Sequence, residues 1–147
     1  YTLAWFLGET RFSTYNTFFE SETSSVYKAD LNLDHVYDEK DTISNLNLFC
    51  LISPMSFSCG NLVPWAFKED GRVTLLGRVS GGGSCVVFPM TTAWGTSFRL
   101  SGSDRISFVK NGAYYDVDCG VEPDYIIRDY KHFFDRQALT DYINQLF

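Results

Sequence analysis

Two short apolar runs, separated by a stretch long enough for one helix, constrain the fold of this chain most strongly. Residues 45–52 (NLNLFCLI) form the first run and residues 73–79 (VTLLGRV) form the second. Short runs that are apolar at successive positions are typical of strands buried on both faces, as in a parallel sheet. The stretch between them, residues 56–70, predicts a turn and then a helix that ends at Gly71. We therefore expect a βαβ unit, whose crossover should be right-handed.

The segments before this unit predict a helix, extended chain and an acidic loop. Residues 1–8 resemble the end of a helix that Gly8 caps. Residues 11–29 are polar and aromatic and predict extended structure. Residues 30–41 are rich in aspartate and predict a loop. Because the chain opens inside an apolar segment at Tyr1 rather than at a methionine, we expect it to be a piece of a longer protein.

The segments after the unit predict hairpins and a last helix. Residues 86–101 predict a hairpin that turns near Trp94. Residues 105–117 predict two short strands around the Asn-Gly pair at 111–112, the strongest short hairpin signal. Asp135 is placed to cap a final helix. The apolar side chains on one face of that helix are Leu139, Tyr142, Ile143 and Leu146. The fold class is therefore mixed α/β.

Composition and charge exclude several classes of protein. With 147 residues, 45% of them hydrophobic and 20% charged, the chain has the length and balance of one globular domain. Its net charge of −6 argues against a nucleic-acid partner, because such binding needs basic residues that displace counterions. No apolar run reaches the roughly 18–20 residues that a membrane-spanning helix requires.

Five oxygen-bearing side chains in the acidic loop have the spacing of a calcium-binding loop. These residues are Asp30, Asn32, Asp34, Asp38 and Asp41. The pattern resembles an EF-hand or dockerin-type loop, in which short carboxylates surround one hard cation. It departs from that pattern at His35, where the sharp turn prefers glycine. A solvated acidic loop without metal is the alternative, because charged loop residues are usually exposed.

Ser58 is the strongest candidate for a nucleophile. It lies between the first predicted strand and the predicted helix, where the N–H groups of a helix start can stabilise an oxyanion. Ser56 is equally suitable on chemistry alone. Serine is also a favoured helix cap, so a purely structural role for Ser58 stays open at this point.

Several motifs together resemble the C-terminal processing, or tail-specific, serine peptidases. Residues 53–87 (SPMSFSCGNLVPWAFKEDGRVTLLGRVSGGGSCVV) resemble the family's Ser/Ala segment, helix, strand ending in glycine and glycine-rich loop. Residues 120–124 (GVEPD) are similar to its G-[VI]-x-P-D signature, and residues 91–96 (TTAWGT) to the hairpin turn after its loop. The resemblance spans residues 45–127 and looks close to a Gram-positive branch, with a distant similarity to the tricorn protease core.

The resemblance implies specific roles for a few residues. Ser58 would be the nucleophile of an acyl-enzyme mechanism, and the backbone N–H of Cys59 would be one oxyanion donor. Many members pair the serine with a lysine in the glycine-rich loop and a later glutamine, but this chain has Gly83 and Val87 there. The base would then lie outside this chain, or the protein would be an inactive pseudo-peptidase that binds peptides. By analogy with the tricorn branch, Asp118 is our candidate for an orienting acid.

The resemblance also implies a fold and partners. It predicts a ClpP/crotonase-like peptidase core of ββα units, of which residues 1–147 would be the C-terminal part, without its upstream portion. A polypeptide would be the substrate, no cofactor would be required, and a homo-oligomer is compatible with the family. An extracytoplasmic or cell-envelope location is implied. We expect the chain on its own to be inactive.

Overall fold

The computed structural model describes residues 2–43, 46–110 and 113–147, and their side chains except those of residues 107–110 and 113–114. In chain order the elements are α1 (Thr2–Leu7), β1 (Glu9–Asn16), β2 (Ser21–Lys28), a 3₁₀ turn (Glu39–Asp41), β3 (Leu48–Ile52), α2 (Cys59–Asp70), β4 (Val73–Gly77), β5 (Cys85–Thr91), β6 (Ser97–Lys110), β7 (Ala113–Tyr115), a second 3₁₀ turn (Val117–Cys119), β8 (Tyr125–Ile126), α3 (Lys131–Phe134) and α4 (Arg136–Leu146). Among the described residues, no helix is both long and apolar enough to cross a membrane.

A three-stranded parallel sheet of order β3-β4-β8 forms the layer against which α2 packs. β3 pairs with β4 from Leu48 opposite Val73 to Ile52 opposite Gly77, which confirms the predicted parallel pair. The observed strands are shorter than predicted. β3 begins at Leu48, with residues 44–45 outside the described part, and β4 ends at Gly77. The second strand ends there because Gly77 has a φ of 128° and turns the chain away.

The hydrophobic core lies where this sheet meets α1 and α2. Its buried members are Leu3, Leu7, Ile52, Ala66, Phe67, Val73, Leu75 and Val121. Burial of such side chains contributes roughly 1.5–3 kcal/mol each. The core therefore fixes α2, and the turn that precedes it, relative to the carboxyl ends of β3 and β4.

Helix α2 ends as predicted and contains a proline in its interior. Gly71 adopts the left-handed conformation with a φ of 82°, and its N–H donates to the Phe67 carbonyl. Pro64 lies inside the helix, where the missing N–H costs about 3 kcal/mol in a typical helix. Its side chain is fully buried, and that burial offsets part of this cost.

A second, antiparallel sheet has the order β2-β1-β6-β5, with β7 paired to β6. The predicted hairpin between β5 and β6 is confirmed, with Thr91 opposite Ser97. The predicted break before residue 105 is wrong, because β6 continues from Ser97 to Lys110. Gly102 lies inside this strand beneath the ring of Phe88, which occupies the space of a Cβ atom. The predicted turn at residues 111–112 lies outside the described residues.

The two ends of the chain form the helices that the sequence predicts. Gly8 follows α1 with a φ of 75°. Asp135 caps α4, and its carboxylate accepts a hydrogen bond from the Ala138 N–H at 3.1 Å. The predicted apolar face of α4 is only half-buried in this structure.

Asp124 joins β8 to β4 and α2. Its carboxylate accepts hydrogen bonds from the Leu75 N–H at 2.8 Å and from Lys68 Nζ at 2.8 Å. Its own N–H donates to the Leu75 carbonyl at 2.8 Å. Partial burial acts to raise the pKa of Asp124, but the hydrogen bonds from Lys68 and Leu75 outweigh it and hold the pKa below its ordinary value.

Replacing Gly77 with alanine should destabilise the protein far more than the same change at Gly71. Both glycines have a positive φ, which costs an alanine about 1–2 kcal/mol. At Gly77 the added Cβ would also collide with the backbone carbonyl of Ile52, whereas at Gly71 it meets nothing within 4 Å. Urea unfolding of Gly77→Ala and Gly71→Ala measures the difference. Equal losses of unfolding free energy would contradict the close β3–β4 contact.

Protonation of Asp124 should weaken the fold. Because its pKa is lower in the folded than in the unfolded chain, ionised Asp124 stabilises the protein above the ordinary pKa of 3.8. That contribution is lost as the pH falls through the lowered folded-state pKa. Asp124→Asn should therefore lose less stability than the parent between about pH 6 and about pH 3 in urea unfolding. Lys68→Met keeps the Leu75 hydrogen bond, so its loss of unfolding free energy should lie between those of the parent and Asp124→Asn. A pH dependence in Asp124→Asn equal to that of the parent would refute the stabilising role of ionised Asp124.

Candidate functional site

Ser58 occupies the N-cap position of α2 in a strained backbone conformation. Its φ of 58° and ψ of −119° are unusual for any residue other than glycine. The Ser58 N–H donates to the Gly82 carbonyl at 2.8 Å, and the Ser58 carbonyl accepts from the N–H groups of Asn61 and Leu62 at 2.9 and 3.0 Å. The Ser58 hydroxyl makes no capping hydrogen bond to the helix. The turn is therefore fixed on both sides, while its side chain is not used as a cap.

A cavity of about 50 Å³ opens beside Ser58. Cys59 and Leu62 line it from the start of α2, and Gly83 and Ser84 line it from the loop after β4. The structure thus brings together the predicted nucleophile, the residue predicted to donate to the oxyanion, and the glycine-rich loop. Within the described part of the chain, no lysine or histidine lines this cavity.

The glycine-rich loop passes between the β3–α2 connection and the second 3₁₀ turn. A Cβ atom at Gly81 would collide with the Pro54 carbonyl, and one at Gly82 with the Asp118 carbonyl. The close approach on both sides explains why glycine is needed at these two positions. Phe57 forms a parallel bridge to Gly82, which places the residue before Ser58 directly beside the loop.

Gly83 stands where the family resemblance implies a lysine in many relatives. Its φ of 88° favours glycine, and an added Cβ would lie 2.8 Å from the ring of Phe57. The ring therefore fills the space into which a side chain at position 83 would begin. The positive φ is the stronger reason for glycine at this position, because the Phe57 ring is 62% exposed and its far end can move aside.

Asp118 anchors the glycine-rich loop. Its carboxylate accepts hydrogen bonds from the N–H of Ser84 at 2.5 Å and from the Ser84 hydroxyl at 2.9 Å. It also forms an ion pair with the guanidinium of Arg105 in β6. Asp118 does not line the cavity itself, but it holds Ser84, which does. Its predicted role as an orienting acid stays a prediction.

Sequence reasoning missed Ser84 and Arg105. Ser84 follows a run of glycines and resembles an ordinary loop residue, and Arg105 lies in a segment that the sequence assigns to a separate short strand. Only the pairing of β5 with β6, with Cys85 opposite Arg105, places this arginine beside the loop. The sequence gives no local signal for the ion pair between Arg105 and Asp118, because the register of the sheet brings the two residues together.

The acidic loop uses its carboxylates to fix its own backbone. Asp30 accepts from the N–H groups of Leu33 and His35 at 2.7 and 2.9 Å. Hydrogen bonds from the Asp38 and Leu31 N–H groups hold the pKa of Asp41 below its ordinary value. Among the described residues, no group of three or more acidic, histidine or cysteine side chains is arranged to hold a metal ion. Calcium binding by this loop stays a prediction.

Comparison with known proteins places this geometry in a family. The model of peptidase family S41 matches residues 8–127. The protein CPj1016/CpB1054 of Chlamydia pneumoniae is 31% identical over 97 residues, which are 65% of this chain and 16% of that protein. The chain thus spans a small part of this relative's length.

Solved structures show the same fold at low sequence identity. A putative peptidase from Parabacteroides merdae matches with a TM-score of 0.64 and 17% identity, over 96% of this chain and 45% of that one. The photosystem II D1 C-terminal processing protease matches with a TM-score of 0.60 and 16% identity, over 86% of this chain and 29% of that one. These matches confirm the predicted mixed α/β peptidase fold. With the family model matching most of its length, the chain belongs to peptidase family S41.

Proposed function

We propose that this chain carries the nucleophile of a serine-type peptidase of the C-terminal processing kind, and that Ser58 is that nucleophile. One observation supports this most: Ser58 is held in a strained turn at the start of a helix, beside a cavity, with no capping bond from its hydroxyl. Strain of this kind is concentrated at functional sites. A polypeptide is the proposed substrate.

In the proposed reaction, Ser58 Oγ attacks the carbonyl carbon of the scissile peptide bond. The resulting oxyanion accepts a hydrogen bond from the Cys59 N–H at the start of α2, where helix N–H groups lack intrahelical partners and the helix dipole is positive. Collapse of the tetrahedral intermediate breaks the C–N bond, releases the amine with a proton, and leaves an acyl ester on Ser58. Water then hydrolyses the ester and restores the hydroxyl.

The general base is proposed to come from a part of the protein outside these 147 residues. Within the described chain, the cavity is lined by neither lysine nor histidine, and Gly83 and Val87 stand at the positions of the base and its partner in many relatives. A serine hydroxyl without an adjacent base is a weak nucleophile. The upstream portion would also supply a second oxyanion donor, and one such donor is worth roughly 10²–10³ in kcat.

A peptide-binding pseudo-peptidase is the second candidate function. Two contacts favour it: Asp118 is paired with Arg105, and the ring of Phe57 fills the space beside Gly83. In this reading the cleft binds a polypeptide that Ser58 does not cleave. A location outside the cytoplasm is proposed for either function, and it rests on the resemblance to C-terminal processing peptidases.

Ser58→Ala should abolish peptidase activity in the natural protein that carries this chain. Removing a nucleophile of this kind typically costs on the order of 10⁶ in kcat. Hydrolysis of an unstructured protein and labelling by a fluorophosphonate probe measure the loss. Ser56→Ala is the matched control and should keep both hydrolysis and labelling. The Ser56 hydroxyl accepts a hydrogen bond from the Ser53 N–H, so we assign it to the local turn rather than to the reaction.

Peptidase activity that survives Ser58→Ala but not Ser56→Ala would transfer the role to Ser56. Peptide binding that persists in Ser58→Ala, without labelling or turnover in the parent protein, would establish the pseudo-peptidase instead.

Residues 1–147 alone should not turn over peptides. Without a base the Ser58 hydroxyl is a weak nucleophile, and the proposed donor at Cys59 lacks the second donor, which is worth roughly 10²–10³ in kcat. Purified chain incubated with an unstructured protein measures turnover directly. Clear hydrolysis that disappears in Ser58→Ala would show that the base lies within this chain.

A further inference from the structure

A fully buried polar network lies directly behind the Ser58 turn. The side chain of Asn61 has no exposed surface, and its Nδ2 donates to the Val117 carbonyl at 2.6 Å. Its Oδ1 accepts from the Ser80 hydroxyl, also at 2.6 Å. The same hydroxyl oxygen accepts from the Val121 N–H at 2.7 Å. Buried polar groups matched in this way specify one arrangement of the segments that carry them.

The network joins three segments that meet at the site. Asn61 belongs to the first turn of α2, and its backbone N–H donates to the Ser58 carbonyl at 2.9 Å. Ser80 belongs to the start of the glycine-rich loop, and its N–H donates to the Val121 carbonyl at 3.1 Å. Gly120 packs so closely on the Ser80 carbonyl that a Cβ atom there would collide with it. The helix start, the loop and residues 117–121 are therefore fixed to one another at this point.

The network requires an amide at position 61. The side chain must donate to the Val117 carbonyl and accept from the Ser80 hydroxyl, and asparagine does both. Aspartate has nearly the same shape but would place a carboxylate oxygen against the Val117 carbonyl. An apolar residue would leave both partners without their hydrogen bonds, in a place that water does not reach.

We propose that Asn61 and Ser80 are positioning residues that fix the Ser58 turn against residues 117–121 and so maintain the strained conformation of Ser58. The proposal rests on the proposed function of Ser58 as nucleophile. A strained residue persists only where its surroundings determine it fully. Asn61 is suited to this because its backbone bonds Ser58 while its side chain bonds the facing segment. Neither residue touches the reacting atoms.

Two measurements on Asn61→Asp and Ser80→Ala test the proposal. The first is amide hydrogen exchange at the Ser58 N–H, which donates to Gly82, with the Leu75 N–H in β4 as an internal reference. The second is the rate of fluorophosphonate labelling in the natural protein, taken well below the melting temperature. Misplacement of a reacting group by about 1 Å can cost roughly 10²-fold in rate.

We expect exchange at Ser58 to rise at least about tenfold relative to Leu75, and labelling to fall roughly 10- to 100-fold. Ser80→Thr keeps the hydroxyl and should retain most of the labelling rate. Asn16→Asp is the matched control, because Asn16 also bonds on both sides of its amide but lies in the antiparallel sheet. It should lower stability without changing the labelling rate of the folded protein.

The outcomes separate this proposal from the proposed function. Unchanged exchange at Ser58 in both Asn61→Asp and Ser80→Ala would overturn the positioning role, whatever the labelling shows. Labelling that falls equally in Asn16→Asp at matched stability would also overturn it, because the effect would then be general destabilisation. If the parent protein is not labelled at all, the nucleophile proposal fails, and the exchange measurement still decides the role of Asn61 and Ser80.

Discussion

The site depends on the hydrogen bond from the Ser58 N–H to the Gly82 carbonyl. It joins the end of the β3–α2 connection to the loop that follows β4. It therefore connects the segments that follow the carboxyl ends of the two strands of the βαβ unit. The glycines of the loop permit this approach because no Cβ atom intervenes on either side. The same contact holds one side of the strained Ser58 turn, beside the cavity.

Two carboxylates near the site, those of Asp118 and Asp124, are paired with groups of the fold itself. Asp118 is satisfied by Ser84 and by Arg105, and Asp124 by Lys68 and Leu75. Both carboxylates thus hold segments in place: Asp118 holds the glycine-rich loop, and Asp124 holds the residues before β8 against β4.

Local pattern was enough to predict the parallel strands, α2 and its end at Gly71, and the cap at Asp135, because each depends on neighbours in sequence. The same reasoning failed in β6, where the predicted break between residues 101 and 105 lies inside one continuous strand, and Phe88 from the neighbouring strand covers Gly102. It also missed the partners of Asp118, since the register of β5 on β6 decides which arginine reaches the loop. The Asn61–Ser80 network was invisible for the same reason: a buried asparagine in a helix has no sequence signature until its distant partners are known.

The backbone conformation of Gly83 has a consequence for any attempt to place a base within this chain. A lysine at position 83 would have to adopt a left-handed backbone, at about 1–2 kcal/mol, and the aromatic ring would have to leave the place it now occupies. The ring is 62% exposed and can turn aside, so the backbone is the larger obstacle to a lysine at this position. A lysine introduced there by design would start from a strained backbone, whatever space the Phe57 ring yields.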